Sequence, residues 1–497
     1  MGESTDLPHI EDRSISEGGH GGHLAVGTAQ GFIASAISLP TGIMTAAFLT
    51  RQLGPVNYGL LTVAAAIVVW IEGTITVGFS RAAVKFIAEA KDWQPVATKF
   101  LQAQVLVSLG ITVLLFASAP AIASWLDAGE MSTYLRVYSL GIPISALCAI
   151  HRSVLTGRGY FGKRAVLPAT YWVSRMLLVF LFVGLYPSVT YVILANIGAS
   201  VVMLCCARVF VRPVLLEKSD FPFSKLWDYA WPLFFYTVGI NLFSRLDLFF
   251  VKAMSGIPQA AGYFGAAKNL TIVPVLFAVS FSPLLLSKLT HLCAKGSRED
   301  AQNMARQAMR LVVCLLPFAG MAAGCASEVV PAIYGDLFVP AAPLLAILIF
   351  AAVGMVMVSV ATSILIASGR PGLPVILMLP LVGMTPPAHF IFVPWFGPVG
   401  AAAVTTGFAW LGAGTMILAV YRVWHVLPSV GTVVRNFLVC LFAYTIAFQW
   451  PAQGVMLIVK LPVIGLINVL ALLLLGEFTR KEAGFVFAKI RKLRTSV

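Results

Sequence analysis

Hydrophobic residues run along this chain in long unbroken blocks separated by short polar breaks. The blocks fall at 24–50, 58–80, 98–126, 134–155, 165–186 and 190–212, then at 224–251, 260–290, 308–326, 344–367, 371–392 and 397–424. Two more follow at 431–449 and 455–476. A helix needs about 20 apolar residues to cross a hydrocarbon core roughly 30 Å thick, and the blocks are of that order. They are continuously apolar and lack the alternation of a barrel strand, so they predict helices. The expected fold is an all-α integral membrane protein of about 14 transmembrane helices.

The polar breaks add direction. One set carries Arg81, Lys85, Lys91 and Lys99, then Arg152, Arg158, Lys163 and Arg164, then Arg208, Arg212, Lys218 and Lys225. Lys288, Lys295, Arg298, Arg306, Arg310, Arg370, Arg422 and Arg435 continue it. The alternate breaks hold little beyond Arg51, Arg136, Lys252 and Lys460. The positive-inside rule puts the rich set in the cytoplasm, and an even span count puts both termini there. The basic tail Lys489-Ile490-Arg491-Lys492-Leu493-Arg494 fits that side.

The chain also echoes itself. Ser153-Val154-Leu155-Thr156-Gly157-Arg158 after the fourth block is matched by Ser363 to Gly369-Arg370 after the tenth. Asn57-Tyr58-Gly59 is matched by Gly262-Tyr263-Phe264-Gly265. An offset of six blocks preserves orientation, which predicts two pseudo-symmetric six-helix lobes related by an axis along the membrane normal. The expected divisions are a disordered cytoplasmic tail at 1–23, lobes at 24–212 and 213–425, a helix pair at 426–476 and a basic cytoplasmic tail at 477–497.

Composition sharpens this. Of 497 residues, 59% are hydrophobic and 11% charged, well below the charged share of soluble domains, so lipid is the expected solvent. The net charge of +14 sits at span ends and reads as topology, not nucleic-acid binding. The seven cysteines lie in or beside apolar blocks without metal or haem spacing, and read as packing residues, with Cys205-Cys206 an acylation alternative. The N-terminus shows no cleavable signal, and its His9, His20 and His23 have no firm metal spacing. No cofactor is expected.

Charges inside the blocks are few and therefore informative, since each costs about 2.5–3.5 kcal/mol on insertion scales. Glu72 and Arg175 lie in the first lobe, with Asn196; Arg245, Asp247, Lys268, Asn241 and Asn269 lie in the second. At about 1.5 Å per residue, Arg245 and Asp247 sit one to two turns below the outer face, and Lys268 roughly 12 Å deep sits level with them. Asn241 and Arg245 share a helical face. Two readings stay open. Structural ion pairs would join Glu72 to Arg175 and Asp247 to Arg245 or Lys268. Alternatively the surplus cation marks an anion site, with coupling to H+ or Na+ through Glu72 or Asp247. Pro40 and Gly42, Trp231-Pro232, Pro274 and Pro283 are expected to interrupt or bend their helices.

The run Arg51-Gln52-Leu53-Gly54-Pro55-Val56-Asn57-Tyr58-Gly59 resembles bacterial Wzx-type polysaccharide flippases of the multidrug/oligosaccharidyl-lipid/polysaccharide exporter superfamily. Arg245-Leu246-Asp247 followed by Ala261-Gly262-Tyr263-Phe264-Gly265-Ala266-Ala267 is similar to that family, as are Thr156-Gly157-Arg158 and Gly397-Pro398-Val399-Gly400-Ala401-Ala402. The resemblance covers about residues 24 to 425. It implies a flippase, not an enzyme, that carries polyprenyl-pyrophosphate-linked oligosaccharide across the bacterial inner membrane by alternating access. Its partners would be that anionic lipid-linked glycan, membrane lipid, and a polysaccharide polymerase and glycosyltransferases working on the same glycan. On this analogy Arg175, Arg245 and Lys268 contact the pyrophosphate, with Asn241 and Asn269 beside them; Asp247 orients its neighbours and Arg51 guards the outer opening. The last two spans depart from the twelve-span pattern and resemble the extra pair of lipid II flippases, where they would form a groove for the lipid tail or pack on the bundle.

Two other classes remain. A multidrug/cation antiporter of the same superfamily would want an acidic cavity, whereas cations exceed carboxylates within these spans. A membrane polysaccharide polymerase or ligase would want a large outer loop with catalytic groups, whereas the longest outer connection, Ser327 to Pro343, offers only Glu328 and Asp336 as charges.

Overall fold

The computed structural model describes residues 17–90, 92–214, 245–370 and 372–477. The first part holds α1 (Glu17–Glu89), α2 (Trp93–Trp125), α3 (Glu130–Ser139), α4 (Gly141–Gly157), α5 (Phe161–Leu185) and α6 (Val189–Phe210). After residue 244 come α7 (Leu246–Met254), α8 (Ala260–Leu270), α9 (Ile272–Ala294), α10 (Arg298–Val313), α11 (Leu316–Gly324) and α12 (Ala326–Tyr334). A 3-10 turn, Asp336–Ala341, leads into α13 (Ala342–Ala367), followed by α14 (Gly372–Trp424), α15 (Val430–Gln449) and α16 (Val455–Leu474). The protein is an all-α membrane protein, with no strand among the described residues.

Among the described residues, 11 helical stretches are long and apolar enough to cross a membrane. Two are double. The long α1 holds the expected spans 24–50 and 58–80, and α14 holds 371–392 and 397–424. Each leaves helical geometry at a single residue, Gly54 (φ 67, ψ 174) and Gly397 (φ 57, ψ −141). Both dihedral pairs have positive φ, which glycine adopts without a Cβ penalty. The expected span 224–251 lies mostly outside the described residues, and with it Asn241 and the Trp231-Pro232 bend. Of the expected tails at 1–23 and 477–497, residues 1–16 and 478–497 lie outside the described residues, while 17–23 are helical, since α1 already begins at Glu17.

Contacts show that Gly54 reverses the chain. The first limb of α1 runs alongside α5, since Gly42 packs on Trp172 and Phe48 on Phe180. The second limb runs alongside α4, since Glu72 meets Ser145 and Gly157 packs on Ile87. α4 is parallel to α6 (Gly141 on Ile197, Cys148 on Ser200), and α6 is antiparallel to α5 (Gly198 on Leu178, Cys206 near Thr170). The two limbs of α1 must therefore be antiparallel. In α14 the reversal is direct, because Gly400 packs on Phe392 and Gly412 on Met378.

Prolines shape some of the remaining breaks, through the carbonyl they leave unbonded four residues earlier. Pro274 leaves Leu270 without its helical partner, and α8 ends there; Pro317 does the same for Val313, the last residue of α10. Pro40 and Gly42 do not interrupt α1, whose only non-helical residue is Gly54. The expected loop Ser327 to Pro343 is not a loop: it forms most of α12 and the 3-10 turn.

Packing divides the molecule by end. One continuous apolar core joins α1–α6 to α7, α8, α12 and the parts of α13 and α14 near Gly397. A separate core holds α9, α10 and α11 with the far parts of α13 and α14. The two sequence halves thus share a core at the end of the bundle that carries Gly54. At the opposite end they keep separate ones. Large apolar side chains such as Leu106, Trp395 and Val455 stand exposed on the periphery, as expected where lipid is the solvent.

Candidate functional site

The crossing of the second limb of α1 with α8 brings the halves into contact. The two echoed glycine segments pack on each other. A Cβ on Gly59 would come 2.7 Å from Gly262 N, one on Gly265 would come 2.9 Å from Thr62 Oγ1, and one on Gly262 would collide with the Pro55 carbonyl. Backbone contact this close requires glycine. Next to the crossing, Asn269 Nδ2 donates to Tyr58 Oη across the halves at 3.1 Å.

Asp247 and Lys268 meet just beyond. Asp247 sits in the first turn of α7, where its Oδ1 accepts the Leu248 amide at 2.8 Å. An anionic side chain is favoured there by the unpaired amides and the helix dipole. Lys268, in the last turn of α8, donates to both carboxylate oxygens at 2.8 and 2.6 Å. The carboxylate is buried and the lysine side chain is 37% exposed, so the pair opens toward accessible space on the lysine side. Thr405 donates to Asp247 Oδ2 at 3.5 Å, and His389, buried in α14, stacks on Phe250 of α7.

The first half contributes a second polar group. Arg175 Nε donates to Asn196 Oδ1 at 2.7 Å, and Asn196 Nδ2 donates to Tyr138 Oη at 3.1 Å. The guanidinium also lies over Trp172, 5.3 Å from the ring centroid, with Tyr171 edge-on to that ring. Arg245, in the second half, is the residue that precedes α7, two positions before Asp247. Among the described residues Arg245 forms no salt bridge.

The other candidates lie apart. Glu72 accepts a 2.6 Å hydrogen bond from Ser145 and is in electrostatic contact with Arg152, and among the described residues it forms no ion pair with Arg175. Arg51 is at the Gly54 end, donating to the Ala332 carbonyl at 2.9 Å. Tyr58, Tyr138, Tyr171 and Trp172 were not expected from the sequence, because rings inside an apolar block raise no signal. Lys460 was assigned to a connection, yet it lies inside α16, fully buried, 2.6 Å from Glu328. No grouping of three or more metal-ligating side chains occurs among the described residues.

A polysaccharide biosynthesis protein family model matches residues 27–286. An uncharacterized membrane protein of Methanocaldococcus jannaschii is 21% identical over 296 residues, so the match spans 56% of each chain, about half the length of that relative. The lipid II flippase MurJ, in an inward closed conformation, superposes with a TM-score of 0.74 at 15% identity, covering 90% of this chain and 97% of that one. An inward-facing multidrug resistance MATE family transporter of the MOP superfamily gives 0.57 at 16% identity, covering 81% and 97%. A MOP superfamily transporter from Pyrococcus furiosus, described as having a binding pocket of reverse polarity, gives 0.51 at 17% identity, covering 81% and 95%. These neighbours share the fold and are named as a flippase and transporters, not as enzymes. The chain belongs to the polysaccharide biosynthesis protein family and has the fold of the MOP-superfamily exporters.

Proposed function

We propose that the protein flips a polyprenyl-pyrophosphate-linked oligosaccharide across the bacterial inner membrane by alternating access between the 24–212 and 213–425 lobes. The observation that carries this reading is a pair of arginines, Arg175 and Arg245, one in each half, that form no salt bridge among the described residues, Arg175 being held by Asn196 and the Trp172 ring. A guanidinium held in a poorly solvated site without a carboxylate of its own calls for an anion, and its planar fork fits phosphate oxygens. Tyr138, Tyr171 and Trp172, with Asn196 and Asn269, supply ring faces and amides suited to sugar rings.

The packing supports a carrier closed at one end: the halves share a core near Gly54 and keep separate cores at the other. With the connections rich in lysine and arginine in the cytoplasm, the Gly54 end faces outward and both termini face inward. Glu72 is the carboxylate proposed for H+ or Na+ coupling, because Asp247 is already matched by Lys268. That match also argues against a cation antiporter reading of the same fold. Glycosyltransferases and a polysaccharide polymerase would supply and consume the carried lipid.

The test is a leaflet assay in vesicles with a lipid-linked oligosaccharide. Arg245→Ala and Lys268→Ala are expected to abolish translocation at normal protein levels. Wild-type flipping by both variants would remove the cation site from the reading.

A further inference from the structure

Lys460 is the largest charged side chain wholly buried among the described residues, and nothing in the proposed site uses it. Its ammonium donates to Glu328 Oε2 at 2.6 Å and to the Ala447 carbonyl at 2.7 Å, while Glu328 Oε1 accepts the Ala452 amide at 3.0 Å. A lysine wholly removed from water and lipid persists only with such complete partnering. The contacts run between α12 and the α15–α16 hairpin.

α12 is also the element that closes the Gly54 end. One turn beyond Glu328, the Ala332 carbonyl receives Arg51 from the first half. Past Gly335 (φ 91), the buried Phe338 ring stands among Tyr58 of the first half and Tyr263 and Tyr334 of the second, at 5.7, 6.0 and 5.9 Å between centroids. The same short segment thus touches both halves at one end and the terminal hairpin at the other.

We infer that Lys460 and Glu328 are positioning residues that anchor the outer cap (α12 and its 3-10 turn) to the terminal helix pair, so that the cap stays with α15–α16 while its Arg51 and Tyr58 contacts open and close. The inference rests on the alternating-access reading. It gives the two extra spans a role in gating, separate from any contact with the lipid tail.

The test uses the full-length protein in sealed vesicles, with native cysteines replaced by alanine and Ala341→Cys as reporter, since Ala341, the last residue of the cap's 3-10 turn, is fully buried. A membrane-impermeant maleimide is applied from the Gly54 side. Neutralising both partners, Lys460→Met with Glu328→Gln, strands no charge and is expected to raise the labelling rate about tenfold at unchanged protein level. Arg51→Ala should raise it too, and the combined variant should label less than multiplicatively, because both act through one cap. Wild-type labelling of the neutral pair beside fast labelling of Arg51→Ala would overturn the anchor, as would multiplicative effects. Should the neutral pair not accumulate, Ala452→Pro removes the amide donated to Glu328 and leaves both charges in place. It should raise labelling about threefold, and a wild-type rate there would equally overturn the anchor. Labelling needs no substrate, so its result is independent of which lipid is carried; unchanged labelling with Arg51→Ala as well would count against the closed outer end itself.

Discussion

Two lysines of this chain are held by carboxylates inside the membrane, and their surroundings set different consequences for losing the partner. Lys460 is fully buried, whereas the Lys268 side chain is 37% exposed. Removing the partner of a fully buried lysine leaves a charge without solvent and costs about 3–5 kcal/mol, while a lysine that reaches water recovers most of that loss. Glu328→Gln is therefore expected to lower the melting temperature in detergent clearly, and Asp247→Asn to lower it little while impairing transport. Equal shifts for both would contradict the burial argument. The sequence placed Asp247 and Lys268 at the same depth because helical rise is a fixed length per residue. It could not phase one helix against another, so it offered Glu72 to Arg175, where the structure gives Arg175 to Asn196 and Glu72 to Ser145. The tyrosines of the site were hidden because a hydropathy pattern counts a ring as filler. Lys460 was read as a connection residue because its partner lies 132 positions away.

Among elements, the crossing of α1 and α8 depends on backbone approaching backbone. Gly262→Val would drive a branched side chain into the Pro55 carbonyl. This variant is expected to part the halves at the Gly54 end and speed maleimide labelling of a reporter there, without loss of helix content by circular dichroism. Labelling at the wild-type rate would mean the crossing tolerates separation. The echo of Tyr58-Gly59 in Tyr263-Phe264-Gly265 was visible in the sequence, but not that the two copies would pack on each other. Long helices were legible because hydrophobic length alone specifies them. α12 was not: its 9 residues include Glu328 and Pro331, too short and too polar to register as a span.

For the whole molecule, the terminal hairpin is built into the fold at both ends. Gly320 and Gly324 of α11 press against Cys440 and Tyr444 of α15, and a Cβ on Gly324 would come 2.6 Å from the Tyr444 carbonyl. At the other end the buried Glu477 carboxylate accepts from Arg310 at 3.0 Å and from Thr432 at 2.7 Å, with Arg435 at 3.6 Å. Truncation after residue 425 would strip partners from Glu328, Arg310 and α11 together. The shortened chain is expected to accumulate poorly and fail to flip, as measured by membrane yield and the leaflet assay. A stable, active twelve-span fragment would show the pair to be an accessory. The single-residue reversals at Gly54 and Gly397 carry a different consequence. With no loop between them, the two limbs of each long helix have no slack, and neither can slide by one turn, about 5.4 Å, without dragging the other. Each pair is then expected to travel as one rigid unit, so any rocking of the lobes must carry both limbs of a hairpin together.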